Sequence, residues 1–285
     1  MTGAASPLPT FFVIGASKSG TTSLHYYFSA HPEIEMTEPK EPHLLIGPGW
    51  RDRLWGYGEL FRGQYAIRGE ASPGYAVMPR NEDAPRNIAE VVPGARLVYL
   101  VRDPVERAVA QYAQHVILGM ETRPIDEALD PDDPYCEYVA ASRYATVVES
   151  YLAHFGPEQM LVMDYSLLRS DRRGSLARLF AHVGADPGFW NEAALERDYN
   201  VRSQDNLMLP GPLKRSRYGR VNAWSKRSIP DRFRTPLVHG LKSMIGRRVT
   251  PSVPGPVQAR LADALAAEAD RLRAITGSAF SGWQV

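Results

Sequence analysis

The run Val13-Ile14-Gly15-Ala16-Ser17-Lys18-Ser19-Gly20-Thr21-Thr22-Ser23, which continues into residues 24–29, decides how this chain is read. An apolar strand ends, small residues turn the backbone, and a helix begins. Glycines let the chain fold around an anion, and the N–H groups at a helix start point at it. Thr21, Thr22 and Ser23 add hydroxyl donors. Gly15 and Gly20 have the spacing of the nucleoside-triphosphate loop G-x-x-x-x-G-K-[ST], but Thr21 stands where that loop carries its Lys. The Lys lies inside the turn, at position 18. A triphosphate and its metal would lose their main cationic contact, which weakens a kinase or NTPase reading. A glycine turn serving structure alone is the plain alternative. The glycine spacing by itself leaves the two level; Lys18 followed by Gly-Thr-Thr-Ser favours a phosphate cradle.

Outward from this loop, four short apolar runs read as buried strands: Thr10–Gly15, Gln64–Gly69, Arg96–Val101 and Gln159–Asp164. Their continuous hydrophobicity suits a parallel sheet covered on both faces. Helical patterns fall between and after them, over about 21–31, 83–92, 104–118, 138–155 and 173–183. Strands alternating with helices predict an α/β fold, a three-layer sandwich with a central parallel sheet flanked by helices. Ligands of such sheets sit at the carboxyl ends of the strands, so residues just after Gly15, Gly69 and Val101 are the ones to search.

The chain has 285 residues, 33 Lys and Arg against 32 Asp and Glu, and 44% hydrophobic residues, enough for a sizeable core. This excludes a disordered tail protein, a collagen-like chain and a disulfide scaffold. The single Cys136 makes no internal disulfide, no Cys/His cluster has zinc spacing, and a reducing cytoplasm is the expected home. Thr10–Gly15 is far too short to span a bilayer, and residues 1–9 lack the pattern of an export signal. They are expected to form a flexible lead to one domain over 10–285. Residues Leu213–Arg248 carry eleven Lys and Arg against the single acid Asp231, a local charge of +10. The segment 213–256 reads as a solvated surface or as a lid closing over an anionic ligand. After the Pro/Gly-rich linker Pro251–Pro256, a C-terminal helix over 257–276 is expected, with Val257, Leu261, Leu265, Leu272 and Ile275 on one stripe and Gly277 as C-cap.

The loop resembles the 5′-phosphosulfate loop, K-x-G-T-T/R, of sulfotransferases of the heparan-sulfate type and their bacterial relatives. Further motifs carry the resemblance through most of the chain. Arg102-Asp103-Pro104-Val105-Glu106-Arg107 looks like the family's R-D-P-x-x-R. His31-Pro32-Glu33 with Glu41-Pro42-His43-Leu44-Leu45 is similar to its H-P…E-x-H-F-F segment, and Gly69–Tyr75 to its E-K-[ST]-P-x-Y turn. Residues Leu272–Trp283 also look like the family's ending.

The resemblance implies a P-loop-like fold and an O-sulfotransferase using 3′-phosphoadenosine 5′-phosphosulfate (PAPS), with no metal required. The acceptor expected is a hydroxyl of a small molecule, glycoside or natural product; with no nucleic-acid motif beside the basic segment and no membrane-spanning run, neither nucleic acid nor a membrane is expected as partner. Lys18 takes the place of the cation that neutralises the bridging oxygen, and Ser19, Gly20, Thr21, Thr22 and Ser23 hold the 5′-phosphate. Arg102 grips the 3′-phosphate, with Tyr218, Gly219 and Arg220 as a faint match to a K-G-R cofactor loop. Glu41 stands as the general base, His43 as its rival, and Glu70 as a second base or an orienting partner for Lys18. Asp103 and Pro104 fit helix N-cap and N1 positions in their own right, which leaves Arg102 available. His115 stays secondary.

There are two departures: Ala110 replaces a Ser that helps hold the 3′-phosphate, and Ala71 replaces the Lys of E-K-[ST]-P near the acceptor. Trp50, Trp55, Tyr57 and Phe61 read equally as core or as a stacking surface. Two other function classes stay open. One is a P-loop kinase of a small metabolite with Asp164 as metal carboxylate; the other is a non-catalytic module binding a nucleotide or polyanion.

Overall fold

The computed structural model describes residues 7–197, 199, 207–208, 247–248 and 253–285. Strand β1 (Phe11–Gly15) lies between β3 (Ile67–Ala71) and β4 (Arg96–Val101), with β2 (Ile34–Met36) and β5 (Met160–Asp164) at the edges, in the order β2-β3-β1-β4-β5. Every neighbouring pair is parallel, with registers such as Phe11↔Gly69, Val13↔Val98 and Val101↔Asp164. The connections from β1 run first to β2 and β3 on one side, then to β4 and β5 on the other. The point of reversal is the carboxyl end of β1, where an open α/β sheet leaves a crevice.

Alternate residues of β1 enter different cores because strand side chains point to opposite faces. Phe12 and Ile14 pack with α2 (Ala84–Val91) and α4 (Tyr144–Leu152) through Ile88, Val148 and Tyr151. Phe11 and Val13 pack with α1 (Thr21–Ser29) and α5 (Arg172–Val183) through Leu24, Phe28, Leu179 and Phe180. A third cluster joins α3 (Pro104–Leu118) to α6 (Gly255–Thr276) through Val105, Ala108, Leu261 and Leu265. The result is the three-layer sandwich that the apolar runs predict.

Several elements differ from expectation for identifiable reasons. β2, three residues long, carries too little pattern to read. The strand expected over Gln64–Gly69 is shifted to Ile67–Ala71, so Glu70 and Ala71 lie inside the sheet and not beyond it. The helix expected over 138–155 is broken after Ala140 and resumes at Tyr144. The fully buried Arg107 is the cause: its guanidinium donates to the Tyr138 carbonyl and, through Nε at 2.6 Å, to Ser142 Oγ. At the same place the Ser142 N–H bonds to Val139 O at 2.9 Å, a tighter turn than the α-helix, and the helical ladder stops. In α6, Ala269 joins Val257, Leu261, Leu265 and Leu272 on the buried stripe, while Ile275 is exposed. Phe280, brought back by the left-handed turn at Gly277, packs beside Leu272 in its place. At the N-terminus, Leu8 O accepts Arg68 Nε at 2.8 Å, so the chain is tied to the sheet before Thr10. The +10 segment lies outside the described residues, apart from the backbone pairing of Leu207–Met208 with Arg247–Arg248.

Candidate active site

The crevice at the end of β1 opens into a cavity of about 930 Å³, within the roughly 300–1,000 Å³ typical of ligand sites. Ser17, Lys18, Gly20, Thr21, Thr22 and Ser23 form its floor. The loop is built by local geometry. Ala16 N–H bonds to Leu100 O at 2.6 Å, Ser19 N–H closes onto Ala16 O at 3.1 Å, and Lys18 and Gly20 take positive φ of 70° and 91°. Gly20 is the N-cap of α1 and offers no side-chain cap; the first helical bond runs from Leu24 N–H to Gly20 O. The amides of Thr21, Thr22 and Ser23 therefore sit at the positive end of the helix, facing the cavity floor.

Two residues of the loop are engaged elsewhere. The Ser19 N–H is spent on the turn, and its side chain is buried under the loop next to the Tyr144 hydroxyl, whose pKa burial pushes up to about 12. The Ser23 hydroxyl donates to Tyr199 O at 3.1 Å and so pins a distant segment onto α1.

The other candidates divide. Lys18, Glu41 and Arg102 line one cavity. Arg102 follows β4, pairs with Glu106 one turn along α3, and reaches Lys18 O at 3.4 Å. Glu41, at φ 61°, is paired with Lys40. His43, at φ 53°, turns its ring toward Gly74 and Tyr75, 6.0 Å between ring centroids in the latter case, and is not among the cavity-lining residues.

Glu70 is fully buried beneath the site. It accepts from the Tyr57 hydroxyl at 2.5 Å and from Ser72 Oγ at 2.6 Å. Burial pushes its carboxyl up, against the pull of those hydrogen bonds. Trp50, Tyr57 and Phe61 are core residues; Trp55 is exposed, and none of the four lines the cavity. Ala110 does line it, and Ala71 is buried in the sheet. Tyr218, Gly219 and Arg220 lie outside the described residues.

The tertiary structure adds lining residues that sequence reasoning did not assign to the site. Tyr165, just after β5, lays its ring against Gly20, where a Cβ would meet it at 2.5 Å. Arg169 and Arg172 bring cations from the same side, and Tyr199 stacks on Tyr26 with ring centroids 4.6 Å apart. Gly282 and Trp283 close the cavity from the C-terminus. The glycine was the one available signal for Tyr165, because a left-handed loop glycine often marks a close approach.

The cavity thus offers a helix N-terminus, an ammonium, guanidinium groups and two exposed carboxylates, Glu41 and the Arg102-paired Glu106, a set suited to a polyanion and a proton acceptor. Comparison with known proteins agrees. Residues 47–191, just over half of the chain, match the model of the sulfotransferase family. Heparan sulfate glucosamine 3-O-sulfotransferase 6 of Mus musculus is 28% identical over 184 residues, 62% of this chain and 52% of that protein. The bifunctional heparan sulfate N-deacetylase/N-sulfotransferase 4 of Mus musculus is 29% identical over 216 residues, 67% of this chain and 24% of its own length. The chain spans about half or less of the length of these curated relatives. In architecture it is similar to a sulfotransferase from Alicyclobacillus acidocaldarius, with a TM-score of 0.67 at 22% identity over 98% of this chain and 100% of that one. The family match begins beyond the phosphate loop, so loop geometry and family match are separate observations with one meaning: the chain belongs to the sulfotransferase family.

Proposed function

We propose that this chain transfers a sulfuryl group from PAPS to a hydroxyl of a small-molecule or glycoside acceptor. The observation that carries the reading is that Lys18 and Glu41 line the same cavity into which the N-terminus of α1 opens without a side-chain cap. The residues fit the co-substrate. The amides of Thr21, Thr22 and Ser23 suit its 5′-phosphate, and Arg102, with Arg169 and Arg172 nearby, suits its second phosphate. PAPS supplies an activated S–O bond; the chain's part is to hold it and manage charge.

Lys18 stabilises the negative charge that grows on the bridging oxygen as that bond breaks, which is electrostatic stabilisation of the transition state. Glu41 accepts the acceptor's proton as the new O–S bond forms, and 3′,5′-ADP leaves. Its place on the cavity wall supports Glu41 over His43 as the base. The methyl of Ala110 removes one hydroxyl contact to the nucleotide, worth about 1 kcal/mol.

The reading is tested by transfer of labelled sulfate from PAPS to a panel of alcohols, phenols and sugars. Thermal unfolding should shift upward with 3′,5′-ADP and not with ATP–Mg²⁺; protection by ATP–Mg²⁺ alone would place the chain with kinases. Lys18→Ala should lower kcat by about a hundred- to a thousandfold with an unchanged melting temperature. A variant that keeps full function would mark a binding module.

A further inference from the structure

The C-terminal residues cross the carboxyl ends of β4 and β5, where two carboxylates, Asp103 and Asp164, line the cavity. Both are more than nine-tenths buried. They divide their oxygens in the same way. Asp103 Oδ1 accepts Glu106 N–H at 2.8 Å, and its Oδ2 accepts Gln284 N–H at 2.5 Å. Asp164 Oδ1 accepts Ser166 N–H at 2.8 Å, and its Oδ2 accepts the Trp283 indole N–H at 2.9 Å. One oxygen of each carboxylate caps the helix that follows its strand; the C-terminus meets the other.

Trp283 is itself held in place. Its ring stacks on Phe280 with centroids 4.4 Å apart and rests on Tyr144 at 5.7 Å. The Arg273 guanidinium ties down Val285 O at 2.6 Å.

Of the carboxylates lining the cavity, Glu41, Asp103, Glu106, Glu137 and Asp164, only Asp103 and Asp164 are buried, and buried charges of the ligand's own sign repel it strongly. The helices need them as N-caps, so the charges remain and must be screened. We propose that the C-terminal strap, through the Trp283 and Gln284 N–H groups, is a positioning element of the nucleotide site that occupies the second oxygens of Asp164 and Asp103. It shields both charges from the bound phosphates and blocks the approach of a divalent cation to Asp164. The strap thereby commits a loop of triphosphate-binding shape to a metal-free anion. The inference rests on the nucleotide-binding reading above.

Trp283→Phe isolates the effect, since Phe keeps a ring against Phe280 and Tyr144 but donates no N–H. Calorimetric titration with 3′,5′-ADP in EDTA should give about tenfold weaker binding than the unchanged chain. Added Mg²⁺ should recover part of the loss in this variant and do nothing for the unchanged chain. Asn still caps Ser166 N–H, so Trp283→Phe with Asp164→Asn should return affinity to within about threefold of the unchanged chain. Gln284→Pro, which deletes the N–H to Asp103, tests the other arm and should also weaken binding, with Asp103→Asn restoring it. Thermal unfolding checks that each variant is folded. Unaltered, Mg²⁺-indifferent binding by both strap variants overturns the inference, as does a loss that the Asn substitutions fail to restore. No 3′,5′-ADP binding by the unchanged chain sinks the nucleotide reading, and the inference with it.

Discussion

Gly20 meets two demands at once: a φ of +91°, which side chains with a Cβ rarely adopt, and the Tyr165 ring 2.5 Å from where a Cβ would stand. Gly20→Ala should destabilise the chain by about 1–3 kcal/mol and weaken 3′,5′-ADP binding. Thermal melts and titration check this; an Ala variant with full stability and affinity would contradict it. His25, buried on α1, has its pKa lowered to about 4 from the usual 6.5, first by burial and then by the Lys40 charge. Between those values the unfolded chain holds more protons than the folded one, so stability rises with pH. The contribution is complete above 6.5 and falls by about 3 kcal/mol as pH drops toward 4. Urea unfolding of His25→Leu from pH 7 to pH 4 should show a shallower decline than the unchanged chain. Lys18 and Arg102 were legible at this scale because each sits inside a local motif. Trp283 was not, because its partner Asp164 is 119 residues away.

Helix α3 begins and ends where the sequence places it. Asp103 caps Glu106 N–H at 2.8 Å, Pro104 takes the first turn, and Gly119 at φ 67° stops it. Asp103→Ala should therefore cost about 1 kcal/mol of stability, measured by denaturant midpoint at unchanged m-value. A change below about 0.3 kcal/mol would show that the cap carries no weight. The break between Ala140 and Tyr144 has no local signal. Nothing near Tyr138 in sequence shows that Arg107, from another helix, takes its carbonyl. Capping is a contest among neighbours and can be read locally; a helix interrupted by a distant guanidinium cannot.

The two faces of the sheet hold separate cores, with Ile88 in one and Leu179 in the other. Ile88→Val should cost about 1 kcal/mol and Leu179→Ala about 2–5 kcal/mol. The double variant should equal their sum within about 0.5 kcal/mol, because the residues share no partner across the sheet. Coupling well beyond that in equilibrium unfolding would mean the cores act as one. The layered α/β fold and the glycine loop between β1 and α1 were determined by the sequence alone, since apolar runs, turn glycines and helix caps act over a few neighbouring residues. The placing of Glu70 was decided by tertiary structure: a motif position after a strand became a fully buried carboxylate under Tyr57 and Ser72. So was the closing of the cavity by Tyr165, Tyr199 and Trp283, whose side chains reach it from segments far apart in the chain. Local bonding carries its own signature in the order of residues, whereas a wall assembled from remote segments exists only once the core has packed.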